Sequence, residues 1–181
     1  MAERFASISD DLAQWWAAQS MFFVATAPSG SDGHVNLSPK GLDTLRILSP
    51  TRAAYLDLTG SGVETIAHLR DNGRITLMAC AFSGNPRISR IYGRGVVHPL
   101  GSPGFEALAG EFPDLPGKRS VIEVAIERVT TSCGYAVPLM DLVDDRERLL
   151  DWAKSKGDDG VAAYWETKNA VSIDGLPGID A

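Results

Sequence analysis

Polar and apolar positions alternate with period two over several short stretches of this chain. Between positions 34 and 40, His34, Asn36, Ser38 and Lys40 fall on one face and Val35, Leu37 and Pro39 on the other. That is the pattern of a half-buried strand. The apolar run at 21–27 is its partner across the Pro/Gly/Ser-rich turn at 28–33, so a β-hairpin is predicted there. Residues 53–58 alternate again, with Tyr55 and Asp57, continuing to Thr59, opposite Ala54, Leu56 and Leu58. Residues 74–82 are nearly all apolar and predict a central strand. A hairpin loop at 83–86 leads into a strand at 87–100. Val121 and Ala125 then stand opposite Ile122, Val124 and Ile126 in a strand at 121–129.

Helical spacing appears between these strands. Leu12, Trp15, Trp16 and Gln19 predict a short amphipathic helix, with Ser9 as its N-cap and Ile8 as a staple residue. After the break Thr59-Gly60-Ser61-Gly62, a helix over 64–70 buries Val63, Ile66 and Leu69 and ends at Asn72-Gly73. Ser102-Pro103 is a cap followed by proline at the first helical position, opening a helix that carries Phe105, Leu108 and Phe112. Two acidic helical stretches follow near 145–156 and 158–169, and then an SIDGLPGID tail. Short strands joined by hairpin-length loops argue against a doubly wound parallel sheet. They predict a mainly β protein, an antiparallel barrel of six to seven strands with peripheral helices.

The chain has 181 residues, 44% hydrophobic and 22% charged, with a formal net charge of −6. These proportions fit one globular domain and exclude a disordered, collagenous or disulfide-scaffold protein. The charge is uneven. Residues 141–181 hold 10 acids against 5 bases, leaving 13 against 12 in the first 140. Residues 72–105 contain no Asp or Glu but carry Arg74, Arg87, Arg90 and Arg94. An acidic chain with one Arg-bearing stretch is not expected to bind nucleic acid, though it can hold a small anion. No apolar run approaches the roughly 18 residues that span a bilayer. The first residues do not read as a signal peptide, and the two cysteines, Cys80 and Cys133, are not in C-x-x-C spacing. A reduced, cytoplasmic setting without membrane attachment is expected.

Several chemistries lack their residues. There is no phosphate-binding G-x-x-x-x-G-K-[ST] loop, no H-E-x-x-H, no paired cysteines and no G-x-S-x-G elbow, so no metal site is expected. The best local signal is Thr59 to Thr65: a strand end, a glycine turn and a helix start. Free backbone N–H groups and the helix dipole favour an anion at such a place, and the hydroxyls of Thr59, Ser61 and Thr65 add donors. In the competing reading the glycines only turn the chain and Ser61 only caps the helix. The polar face His34, Asn36, Ser38, Lys40 places one cation at its strand end, or is simply the wet face of a small sheet. Arg90, Tyr92 and Arg94 share a face, and guanidinium groups suit phosphate. They equally suit a solvated strand, or pairing with the acidic C-terminal region.

The order of these segments carries a resemblance. An FVATA strand, a strand ending in Lys, YLDLTGSG running into a helix with HLRDNG, then RITLM and RIYGRG resemble the pyridoxamine 5′-phosphate oxidase-like family over roughly residues 10–130. HVNLSPKGLD, DLTGSGVETIAHL, SCGYAVPLM and KNAVSIDGLPG resemble a bacterial oxidase-like branch of unassigned activity. The resemblance implies a split β-barrel that binds FMN, usually as a homodimer with two sites at the interface. The chain is then one split-barrel domain over 1–181, with a core at about 10–130 and a branch-specific helical region at about 141–181. It places Lys40, Tyr55, Asp57 and the turn with Thr59, Ser61 and Thr65 at the cofactor. Ser38 on the Lys40 face is a further candidate, and Arg90 of the 87–94 hairpin of one subunit is a candidate second phosphate ligand, the alternative being hydroxyls and backbone N–H groups alone. One departure stands out: Glu64-Thr65 occupies the place where the family commonly has Arg-Lys. The implied activity is FMN-dependent oxidoreduction of a small molecule, with no residue presenting itself as acid or base. A non-enzymatic binding module that has lost its phosphate cations, and a deazaflavin- or haem-using relative, are the alternatives.

Overall fold

The computed structural model describes residues 3–179. In chain order the elements are β1 (Glu3–Phe5), α1 (Asp10–Ala17), β2 (Phe22–Thr26), β3 (Asn36–Lys40), β4 (Leu45–Ser49) and β5 (Arg52–Leu58). There follow α2 (Glu64–Asn72), β6 (Arg74–Cys80), β7 (Ile88–Pro99), α3 (Pro103–Ala109), β8 (Lys118–Ser132) and α4 (Arg148–Lys168). All strand pairs are antiparallel, in the order β3-β2-β6-β7-β8-β5-β4, with β1 added to β8. The sheet is a split barrel whose two edges, β3 and β4, are consecutive in sequence. Residues 41–44 bridge them, with Leu42 and Asp43 in the left-handed region (φ 61° and 53°). That turn is tied by Thr44 Oγ1 to the Gly41 carbonyl at 2.6 Å and by an Arg46–Asp43 fork at 2.7 and 2.9 Å.

The local signals explain most elements. Ser9 Oγ accepts from Leu12 N–H at the start of α1, and Ile8 is buried beside Leu12 and Trp16. Trp16 is seated in the barrel, its Nε1 donating to Ser89 Oγ at 3.0 Å. Gly73, at φ 71°, ends α2 in the left-handed conformation that glycine adopts without a Cβ penalty. Ser102 caps α3 through Phe105 N–H. α4 is broken at Gly157 (φ 65°, ψ 171°) into two helices, in line with the two helical stretches read from the sequence.

Two clusters divide the interior. The larger packs Val24, Tyr55, Leu77, Ile91, Ile122 and Val124 with α1 and α2 inside the barrel. The smaller, Ala54, Leu56, Phe105, Phe112 and Val121, lies where α3 covers the other face of β5 and β8. Period two therefore sorts β5 as expected, with Tyr55 and Asp57 inward. Two strands are additional to the sequence reading. β1 is exposed along its three residues and carries no pattern. In β4 all five residues are half-buried, and Arg46 interrupts the apolar run by lying over the Phe112 ring.

β7 and β8 shift register between Tyr92 and Gly93. A Cβ on Gly93 would stand 2.1 Å from the Ala125 carbonyl oxygen, which is rigid backbone. Gly93→Ala is therefore expected to lose ~1–3 kcal/mol in urea denaturation, whereas Gly30→Ala, with nothing within 4 Å, changes stability by less than ~0.5 kcal/mol.

Candidate functional site

Beneath the split lies a cleft of about 770 Å³, lined by β3, the β5–α2 turn and the residues that follow α4. Its polar floor is organised by a carboxylate. Asp57 is fully buried and accepts from Lys40 Nζ at 3.1 Å and from Arg119 Nε at 2.7 Å, with Ser120 Oγ at 3.4 Å. Burial opposes its ionisation, but Arg119 and then Lys40 outweigh that and hold the carboxyl below its usual range.

Arg119 reaches this carboxylate because the sheet slips. Asp57 pairs with Ser120 and Leu58 with Lys118, so Arg119 is the extra residue of a β-bulge. Such a bulge re-aims a side chain. Arg119 is 5% exposed, and its Nη1 donates to the Gly62 carbonyl at 3.0 Å and to Asn169 Oδ1 at 2.9 Å. Asn169, also fully buried, returns a bond from Nδ2 to the Gly60 carbonyl at 3.2 Å.

Asn169 begins a C-terminal strap, residues 169–179, that walls one side of the cleft with Val171, Ser172 and Ile173. A small turn folds it, with Ser172 N–H on the Leu176 carbonyl at 2.9 Å and Gly175 at φ 76°. Asp174 accepts from His34 N–H at 2.8 Å and faces His34 Nδ1 at 2.7 Å. Glu64 Oε1 accepts from Ile173 N–H at 3.1 Å, Arg70 donates to the Gly178 carbonyl, and Ile179 packs against the main core.

The opposite wall is a hydroxyl and amide chain. Ser38 Oγ donates to Asn36 Oδ1 at 2.9 Å, and Asn36 Nδ2 donates to Thr65 Oγ1 and Thr26 Oγ1 at 3.0 and 3.1 Å. Thr26 Oγ1 continues to His68 Nδ1 at 3.0 Å. Burial holds the His68 imidazole below its usual pKa. His68 Nε2 and Tyr55 Oη are buried without a hydrogen-bond partner among the described residues. Burial first, and the Asp57 carboxylate second, push the Tyr55 phenol well above its usual range, so it stays neutral.

The structure brings Ser38, Lys40, Ser61 and Thr65 together on the cleft. Asp57 stands behind the floor. Thr59 is tied to the Gly117 carbonyl and to Trp165 Nε1, both at 2.8 Å, and so fixes the turn rather than lining the cleft. Ser61 does not cap α2: the N-cap is Val63, with no side-chain cap bond. The first-turn N–H groups of α2 are thereby left toward a cleft lined by Gly62, Glu64 and Thr65.

Two expected residues lie elsewhere. Tyr55 is wholly inside the core against Phe22. Arg90 faces outward, because Pro39, Phe23, Met78 and Arg90 are successive partners across β3, β2, β6 and β7, while the adjacent row Ser38, Val24, Leu77, Ile91 faces the core. Three strand spacings, about 14 Å, separate it from β3, so no Arg90 reaches the cleft of its own chain. Arg119 and Asn169 were not foreseen. A bulge defeats a period-two reading, and an asparagine at a helix end carries no pattern of its own. Among the described residues no group of His, Cys, Asp or Glu side chains could hold a metal ion.

A family model described as pyridoxamine 5′-phosphate oxidase matches residues 8–133. The pyridoxamine 5′-phosphate oxidase family protein ustO of Aspergillus flavus is 40% identical over 194 residues, covering 97% of this chain and 77% of that protein. Among solved structures, HupZ of Group A Streptococcus is similar with a TM-score of 0.51 and 20% identity, over 67% of this chain and 91% of that one. A putative pyridoxamine 5′-phosphate oxidase from Lactobacillus delbrueckii gives 0.51 and 21%, over 69% and 94%. An FAD binding protein from Mycobacterium smegmatis gives 0.50 and 12%, over 70% and 97%. At these identities the structural likenesses speak for the fold.

The Asp57 cluster makes a pH prediction. A carboxyl held below its unfolded value contributes stability above that value, 3.8, and the contribution is lost as pH falls below it through the lowered folded value. Asp57→Asn is expected to cost ~3–5 kcal/mol at pH 7, because two cations lose their buried partner. The variant should also lose less further stability than the wild type between pH 5 and about pH 3. Urea denaturation at those pH values measures both effects.

Proposed function

The chain belongs to the pyridoxamine 5′-phosphate oxidase family, and from that premise we propose that it binds FMN in this cleft and uses it in oxidoreduction of a small molecule. The carrying observation is the convergence of the uncapped start of α2, Lys40 and the buried Arg119 on one part of the cleft. Backbone donors and two cations there suit a phosphate. The polar chain Ser38–Asn36–Thr65 offers hydroxyl and amide partners to a polyol or a heteroaromatic edge. Val35, Leu37, Val171 and Ile173 offer apolar surface for a ring. The donor set therefore fits a molecule with an anionic end and a planar, hydrogen-bonding body.

When bound, a flavin supplies the redox chemistry that no side chain here provides, and the protein's part is to hold and orient it. Lys40 does this at the end of β3, where its ammonium is fixed by Asp57 at the sheet edge. Tyr55, kept neutral and dry, and Asp57 supply a rigid backing. The reading includes a homodimer. Arg90, turned away from its own cleft, is available to the cleft of a second copy.

One observation favours a second reading. Glu64 lines the cleft, so it holds an acid where the family commonly has a base, and a redox-inert binding module would tolerate such a loss. The two readings separate on spectra. After incubation with FMN and desalting, the protein is expected to keep the yellow flavin absorption, to bleach with NAD(P)H or another donor, and to recover in air. A colourless product overturns flavin binding. Retained colour that no donor bleaches supports the module.

A further inference from the structure

We propose that Arg119, presented by the β8 bulge and held in aim by Asn169 of the C-terminal strap, is the anion-gripping residue of this cleft and takes the terminal phosphate monoester of the flavin nucleotide. The proposal rests on the flavin reading above and assigns its phosphate to a residue outside the β5–α2 turn.

The guanidinium is committed on one side only. Nε is spent on Asp57, and Nη1 on the Gly62 carbonyl and Asn169. Nη2 makes no hydrogen bond to a described residue, and Arg119 lines the cleft. These fixed bonds leave Nη2 as the edge open to a ligand. Charge points the same way. Lys40 and Arg119 share the Asp57 carboxylate, and Lys168 and Glu64 also line the cleft, so three cations stand against two acids. A net positive charge beside a buried guanidinium is relieved by an anion.

Glu64 explains why the turn itself is not the grip. Its Oε1 is held by Ile173 N–H, which draws the carboxylate to the strap. The same strap supplies Asn169 to Arg119. The acid at position 64 and the cation at 119 are thus two ends of one arrangement: the strap uses the first as an anchor and steadies the second. The hydroxyls of Ser61 and Thr65 and the open N–H groups of α2 complete a ring of donors around the remaining phosphate oxygens.

Fluorescence quenching with FMN and with riboflavin, which lacks the phosphate, isolates the contribution. Wild type is expected to prefer FMN by about 100-fold, the worth of a desolvated charge-assisted contact. Arg119→Gln should bring that preference to within about threefold of unity, the FMN-to-riboflavin ratio being the readout. Asn169→Ala keeps the charge but frees the guanidinium, and should lower the preference about tenfold. Because Arg119→Gln strips one partner from Asp57, the double variant Asp57→Asn/Arg119→Gln removes both charges together and serves if the single variant does not fold. A preference retained at the wild-type value in a folded Arg119→Gln or double variant overturns the assignment and leaves flavin binding intact. Wild type that binds neither FMN nor riboflavin overturns the flavin reading itself, and the assignment with it.

Discussion

A carboxylate with no access to water governs this structure. Asp57 cannot stay ionised inside a barrel unless cations come to it, and the two that do arrive from different strands, Lys40 at the end of β3 and Arg119 in β8. β3 and β4 are the edges of the split sheet, so Lys40 ties one free edge across the split to β5, the strand next to the other edge. Arg119 carries the constraint onward to the β5–α2 turn through Gly62 and to the end of α4 through Asn169. Elements that share no sheet pairing are thereby fixed relative to one carboxyl group. Such a cluster adds little net stability over apolar packing. What it adds is a fixed arrangement of charge at the floor of a cleft.

The parts of the fold set by repetition were readable from the chain. Alternation at 34–40, 53–58 and 121–129 gave strands whose inward faces are now seen. Ser9, Ser102 and Gly73 marked helix ends because capping is local chemistry. β1 and β4 escaped because one is exposed along its length and the other hides its period behind Arg46. The site divided in the same way. Ser38 and Lys40 lie on one face of a regular strand, Ser61 on the glycine turn and Thr65 in the first turn of α2, where sequence neighbours decide position. Arg119 depends on one residue of slippage between β5 and β8, which no pattern within β8 announces. Asn169 depends on how α4 returns to the barrel, a long-range event. Arg90 shows the converse. Its face was read correctly as shared with Tyr92 and Arg94, but only the register with β6 and β8 reveals that this face points away from the cleft.

The strap lies beyond the residues that the family model matches, yet it forms a wall of the cleft. It is attached through adjacent residues of its turn, by Glu64 at Ile173 and by His34 at Asp174, and Ile179 anchors it in the core. These contacts reach the β2–β3 loop, α2 and the core together. A segment pinned at three places beside an opening sets the shape of that opening. The cleft is therefore bounded on one side by a surface, Val171 to Ile173, that the barrel alone does not provide.

The relocation of positive charge has a physical consequence for how a ligand is held. An Arg-Lys pair on an exposed turn is mobile, and binding must restrict several rotatable bonds before the charge counts. Arg119 is already restricted: three fixed bonds define its plane, and 5% exposure keeps water from competing for it. Its ordering cost is met during folding, when Asp57 requires a partner in any case. An acid such as Glu64 can then stand on the turn without removing the anion's counter-charge, because that charge comes through the sheet. Folding and binding draw on the same guanidinium. The bulge that looks like a defect in β8 is what lets one side chain face both the buried carboxylate and the cleft.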